Sequence, residues 1–236
     1  MERVGGQGGV LNKEKTMKRA LEKTTKFFEI PLDLRSRAVI LLAALLVLPA
    51  LVTPLWEVNF NSSRYPEGLQ LNIYSHKVAG GKESDLLEIN ALNYYLGIRS
   101  VESEKFVEFL WFPFVLGVVI LLSLRAIVLG KMSKLVDLFF LLSYAGLYAL
   151  WTFQSRLFTY GHNIESSAPV KIEPFTPPLF GTITVGKVDV SSAPDLGAYC
   201  LVVAPLVLLG AIILSYRAWL AGQQPKRDRH HPRRLV

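Results

Sequence analysis

The sequence predicts a membrane all-α bundle of four transmembrane helices with a small β-containing extracytoplasmic cap formed by two long loops. Composition is the first reason: 51% of the 236 residues are hydrophobic and 19% charged, with a mean hydropathy of +0.33. That balance favours an integral membrane protein over a water-soluble core. The second is a set of four apolar runs, residues 38–55, 108–129, 135–153 and 199–219, each close to the ~20 helical residues needed to cross a hydrocarbon core. The third is charge. Lys and Arg number nine before the first run, three around the turn between the second and third, and six from Arg217 onward, against five and three in the loops 56–107 and 154–198. Those two loops carry more acids than bases. By the positive-inside rule both termini are cytoplasmic and both long loops face outward. The net charge of +7 is thus a topology signal, with no nucleic acid implied.

The elements follow in order. The leader, residues 1–37, is Gly-rich to residue 12. Residues 13–30 then place Met17, Ala20, Leu21, Thr24, Phe27 and Phe28 on one side, with Lys15, Lys18, Arg19, Glu22, Lys23 and Lys26 largely on the other. An apolar stripe beside a basic face describes an interfacial helix resting on membrane lipid. The first span reads as a retained signal anchor, because its basic leader is long and Pro49, Pro54 and Trp56 make a poor cleavage site. In the first outward loop Trp56, Val58 and Phe60 alternate with Glu57 and Asn59, and Leu69, Leu71 and Ile73 alternate with Gln70 and Asn72. This period predicts two strands joined by a wide turn over residues 61–68. Residues 85–96 predict a short helix with Leu86, Ile89, Leu92, Asn93 and Leu96 on one face, ended by Gly97 in a left-handed cap.

After the second span a short turn, residues 130–134, leads to the third. The second outward loop, residues 154–198, has little helical pattern before Gly181, and Pro169, Pro174, Pro177 and Pro178 hold it extended. Residues 179–190 carry the Thr/Val content of a strand. Small residues at Ala145, Gly146, Ala149, Gly210 and Ala211 predict close helix contacts, and Pro205 predicts a kink in the fourth span. The tail, residues 220–236, is basic, and His230-His231 within it reads as part of a solvated end.

Several chemistries are excluded by residue type. Cys200 is alone, which removes thiol exchange, and no span contains the His pairs that axial haem ligation needs. Glu108, Arg125 and Asp137 sit near span ends and form no charged relay across the bilayer, which weighs against a permease component for small solutes. Gly5-Gly6-Gln7-Gly8-Gly9 lacks the lysine and spacing of a phosphate cradle.

Attention therefore falls on the outward loops, where Tyr65-Pro66-Glu67-Gly68-Leu69, then residues 88–98 with Asn90, Asn93, Tyr95 and Gly97, then Tyr160-Gly161-His162-Asn163 and Pro177-Pro178-Leu179-Phe180-Gly181 follow one another. These motifs, in this order, resemble a family of bacterial four-helix membrane proteins known from gene neighbourhoods, beside nitrous-oxide reductase copper lipoproteins and other denitrification or copper-oxidase genes. The resemblance covers roughly residues 38–217. It implies a multi-pass protein of the bacterial inner (cytoplasmic) membrane, acting as an accessory or assembly factor, or a subunit, of an extracytoplasmic copper or haem-copper respiratory enzyme. Relatives carry Asn-His-Tyr-Ile-Gly-Met where this chain has Asn93-Tyr94-Tyr95-Leu96-Gly97-Ile98, so the His and thioether that would suit Cu(I) are replaced. Copper, if held, would fall to His162, Glu165 and His76. The motif residues Tyr65 to Gly68, Asn90, Asn93, Tyr95, Gly97, Tyr160 to Asn163, Pro177 and Pro178 are expected to form an interaction surface for other membrane or extracytoplasmic respiratory proteins, with a docking role ahead of a catalytic one.

Overall fold

The computed structural model describes residues 16–18, 21–22, 24–165, 168–185 and 187–223. The Gly-rich leader and the His230-His231 tail lie outside these residues, as does part of the expected interfacial helix. Within that helix residues 24–28 are helical, and the Phe27 ring lies 5.8 Å from Tyr216 near the end of the last helix.

Among the described residues four helices are long and apolar enough to cross a membrane: Leu34–Val52, Glu108–Leu129, Met132–His162 and Leu196–Ala221. The first consists of α1 (Leu34–Val47) and a short α2 (Pro49–Val52), divided at Pro49, whose ring cannot continue the hydrogen-bond ladder. The others are α4 (Glu108–Leu129), α5 (Met132–His162) and α6 (Leu196–Gln223). α1 packs against both α4 and α6, and α5 closes the ring between those two. Ile40, Ala43, Val47, Leu116, Met132, Leu135, Leu138 and Leu208 form the bundle core. At one end the chain before α1 pairs with the α4–α5 turn: Leu32 N–H donates to Gly130 O at 2.8 Å and Met132 N–H to Ile30 O at 3.0 Å. This floor gathers Arg35, Arg37, Lys131 and Lys134 at one end of the bundle. Asp137 pairs with Lys134 at 3.0 Å, the local salt link expected of a helix end.

At the other end the two long loops meet in one sheet. β1 (Trp56–Ser62), β2 (Tyr65–Ile73) and β3 (Val78–Gly80) come from the first loop, and β4 (Gly181–Val185) and β5 (Val188–Pro194) from the second. The order is β3-β2-β1-β5-β4 and all pairings are antiparallel. The alternation read from sequence is kept, since Trp56, Val58, Leu69 and Leu71 are buried. The turn between β1 and β2 is tighter than expected, because pairing continues to Ser62 and Tyr65 with a register shift after Phe60. The expected single strand over 179–190 is a hairpin of two strands that reaches Pro194.

The helix α3 (Asp85–Leu96) packs Ile89 into the sheet and ends at Gly97 with φ 71°, in the left-handed cap its sequence predicts. Asp85 is 3% exposed, and its Oδ2 accepts from Gln70 N–H at 3.2 Å and Lys82 N–H at 2.9 Å, tying α3 to β2. Asp85→Ala would orphan both donors, a loss of about 1–3 kcal/mol. The expected outcome is a cap that melts earlier in near-ultraviolet circular dichroism while helical content at 222 nm is nearly unchanged.

The largest departure from expectation is α5. Its helix does not stop near residue 153 but runs to His162, so Tyr160, Gly161 and His162 occupy a helical turn and not an extended loop. Residues 153, 156, 157 and 160 continue the helical spacing with Phe, Arg, Leu and Tyr.

Candidate functional site

The long α5 sets the geometry beneath the cap. Its last turns stand beside the first turn of α4, and there Arg156 Nε donates to Glu108 Oε1 at 2.9 Å and Nη2 to Oε2 at 3.2 Å, a two-point fork. The guanidinium carbon lies 5.9 Å from the centre of the Phe106 ring, and Phe106 stacks on Tyr160 at 6.0 Å. Tyr160 in turn donates its hydroxyl to Ser100 O at 3.3 Å. Glu108 is the span-end carboxylate noted in the sequence. Arg156, its partner, was hidden in a segment read as loop, and the Phe153-Arg156-Leu157-Tyr160 spacing is the signal that would have found it.

The motif residues divide into groups. Asn90 staples the chain after α3, its Nδ2 donating to Val101 O at 3.1 Å and its Oδ1 accepting from Val101 N–H at 2.7 Å. Asn93 Nδ2 reaches Arg99 O at 3.4 Å. Gly97 lies directly against Ala168 and Glu165, Glu165 N–H donates to Gly97 O at 2.9 Å, and Val170 N–H donates to Tyr95 O at 3.1 Å. The second loop thus wraps over the end of α3. Gly161 is buried where any Cβ would collide with the Phe175 carbonyl, and Phe175 N–H donates to Gly161 O at 3.0 Å. Pro177 lines the space beneath the sheet and Pro178 is half-buried. Asn163 is exposed, its N–H held by Thr159 O at 3.1 Å.

Tyr65, Pro66, Glu67 and Gly68 lie elsewhere, at the β1–β2 hairpin end remote from α1. Gly68 has φ 72°, a backbone that suits glycine. Lys82, hydrogen-bonded to Glu67, holds that carboxyl below its ordinary range, and Glu67 raises Lys82 in return. Both groups are solvent-exposed, so the pair is screened. Glu102 is lowered likewise by its hydrogen bonds to Lys105 and Ser100.

His162 is exposed and stacks on Phe158 with ring centres 3.8 Å apart, and its Nδ1–H donates to Phe158 O at 3.0 Å. His76 lies in the β2–β3 turn beside Tyr74. Glu165 joins the wrap over Gly97. Among the described residues no three His, Cys, Asp or Glu side chains gather as a metal site. The described residues around His162 therefore do not supply the several converging ligands that a copper centre needs.

Between the sheet, α4, α5 and α6 lies a cavity of about 580 Å³. Trp56, Val58, Leu71 and Val190 of the sheet line its upper side, and Phe109, Trp111, Gly146, Phe153 and Leu201 of the helices its lower side. The small residue Gly146 does not make the close helix contact expected of it: a Cβ there would have nothing within 4 Å. Gly210 is likewise open, whereas Ala145 and Ala211 are buried.

Four helices of membrane-spanning length under a five-stranded antiparallel cap make this a chain compatible with a multi-pass membrane protein. No family model matches the chain, and no curated protein matches it.

Proposed function

We propose that this protein is a membrane-anchored accessory or assembly factor, or a subunit, of an extracytoplasmic copper or haem-copper respiratory enzyme, and that it engages its partner through the cap. The observation that carries the docking role is the outward face of α3. Leu87, Tyr94 and Tyr95 are 73%, 74% and 54% exposed at seven- and eight-residue helical spacing. Val170, hydrogen-bonded to Tyr95, extends the patch and is also exposed. Contiguous exposed apolar side chains mark interaction surfaces, and tyrosines are frequent anchors there. The class of partner is supported by the sequence motifs.

The orientation with the cap outward is supported by the basic residues at the opposite end of the bundle. Two aromatic groups bracket the helices: Trp111, Tyr148 and Trp151 lie in contact below the cap, and Tyr216 and Trp219 stack at the far end. The stretch from Tyr199 to Trp219 rises about 30 Å, the thickness of a hydrocarbon core. Of the two forms of the reading, a subunit without its own metal is favoured by the separate placements of His76, His162 and Glu165.

The test is recovery of partners from membranes in mild detergent, with copper measured per chain. Leu87→Asp and Tyr94→Ala are each expected to lower recovery of the respiratory partner at least tenfold, equivalent to about 1.4 kcal/mol or more. Unchanged recovery with the cap intact would remove α3 as the contact. Stoichiometric copper lost on His162→Ala would move the reading to metal handling.

A further inference from the structure

The cavity beneath the sheet is the feature that partner docking does not use. Its size falls in the ~300–1,000 Å³ range of small-molecule sites, and its walls are almost wholly apolar, with the Arg156–Glu108 fork as the principal polar group. Elsewhere the bundle is closed: Leu116, Leu135, Leu138 and Leu208 are at most 2% exposed. The helices part at the cap end, where Gly146 supplies space instead of a side chain. An unfilled apolar void forfeits the dispersion contacts of every atom that lines it, and the site offers water few polar partners.

The cavity also reaches the outer surface of the helices. Leu147 of α5 and Val202 of α6 line it, yet they are 69% and 62% exposed. The same flank carries exposed Tyr144, Trp151 and Leu206, a surface suited to lipid. Entry is therefore lateral, from the apolar phase around the bundle. The polar fork sits beyond Trp111 and Trp151, at the level where aromatic residues meet headgroups.

We infer that this cavity binds a neutral amphiphile, with an apolar chain along α5 past Gly146 and a carbonyl-bearing head at Arg156. Arg156 uses Nε and Nη2 on Glu108 and has no hydrogen bond from Nη1 among the described residues, which leaves that amino group to donate to a carbonyl oxygen. The fork is already neutral overall. An anionic head would meet the Glu108 carboxylate, so the geometry selects a neutral acceptor. Tyr160 is held by Ser100 and supports the guanidinium through Phe106; it is a positioning residue. Two sources share this chemistry, an acylglycerol ester and a prenylated quinone, and the inference is independent of any partner at α3.

The test uses the full chain extracted with its surrounding lipid in polymer discs. Diazirine probes of three kinds are photolysed with it: a monoacylglycerol, a prenylated quinone and a phosphatidylglycerol. Peptide mass spectrometry should place saturable label on residues 143–157 from one of the two neutral probes, and competition by unlabelled monoacylglycerol or quinone tells the sources apart. Gly146→Phe, which fills the space, should lower that label at least tenfold. If that variant fails to fold, Ser143→Leu, one turn away on the same wall, should lower it at least threefold. Absence of label from both neutral probes, label unchanged in a folded filled-cavity variant, or equal label from the anionic probe overturns the proposal.

Discussion

Gly161→Val is expected to detach the second loop from the end of α5. The substituted side chain would occupy the place of the Phe175 carbonyl, so backbone has to move against backbone. The Phe175 N–H to Gly161 O bond goes with it, and so does the packing of Phe175 and Ile172 against the cap core. A loss above about 3 kcal/mol is expected, in the upper tail of single substitutions. Limited proteolysis should show new cleavage between residues 163 and 178, with the helical signal of the bundle kept. Gly146→Ala is the matched control within the same helix. Nothing lies within 4 Å of its added Cβ, and replacing glycine inside a helix gains up to about 1 kcal/mol. If both variants behave alike, helix propensity and not the close approach at Phe175 governs the site.

Trp56→Ala is expected to unfold the cap. Trp56 is 7% exposed at the base of β1, with its Nε1–H donating to Ser192 Oγ at 2.8 Å and its ring 5.2 Å from Phe153 and 5.3 Å from Phe180. It therefore joins β1 to β5, the two strands that unite the loops, and joins the sheet to α5. Truncation of a buried aromatic costs about 3–5 kcal/mol, and this one also leaves the Ser192 hydroxyl without its indole donor. Faster amide exchange through β1 and β5 would check it. Trp56→Phe should recover most of the packing but not the hydrogen bond, separating the two contributions by about 1 kcal/mol.

What could be read in advance was whatever rests on local periodicity. The four apolar runs, the alternation of Trp56-Val58 and Leu69-Leu71, and the stop at Gly97 each follow from spacing within one segment. The end of α5 did not, because Gly161 and the prolines that follow it resemble loop chemistry. Gly161 is helical there because a close-packed carbonyl, not a turn, demands the missing side chain. The pairing of β1 with β5 is set by contacts between distant segments, which no local pattern encodes. The same holds for Arg156: its spacing was visible, but its partner Glu108 lies 48 residues away. Of the residues expected in an interaction surface, Asn90 is half-buried and fastens the chain after α3, Gly97 is buried against the second loop, and Tyr95 is exposed beside Leu87 and Tyr94.

The strand order has a consequence for how the protein is made. β1 sits in the middle of the sheet, with β2 following it almost at once, but its other edge is filled only by β5, and Trp56 and Ser192 are 136 residues apart. During synthesis that edge stays open while α4 and α5 are both produced and placed, a long interval for unpaired backbone groups that invite foreign strands. Completion of the sheet thus reports that α4 and α5 have both been placed, with α6 still to follow. A protein interrupted after α5 would leave behind a half-sheet with an adhesive side.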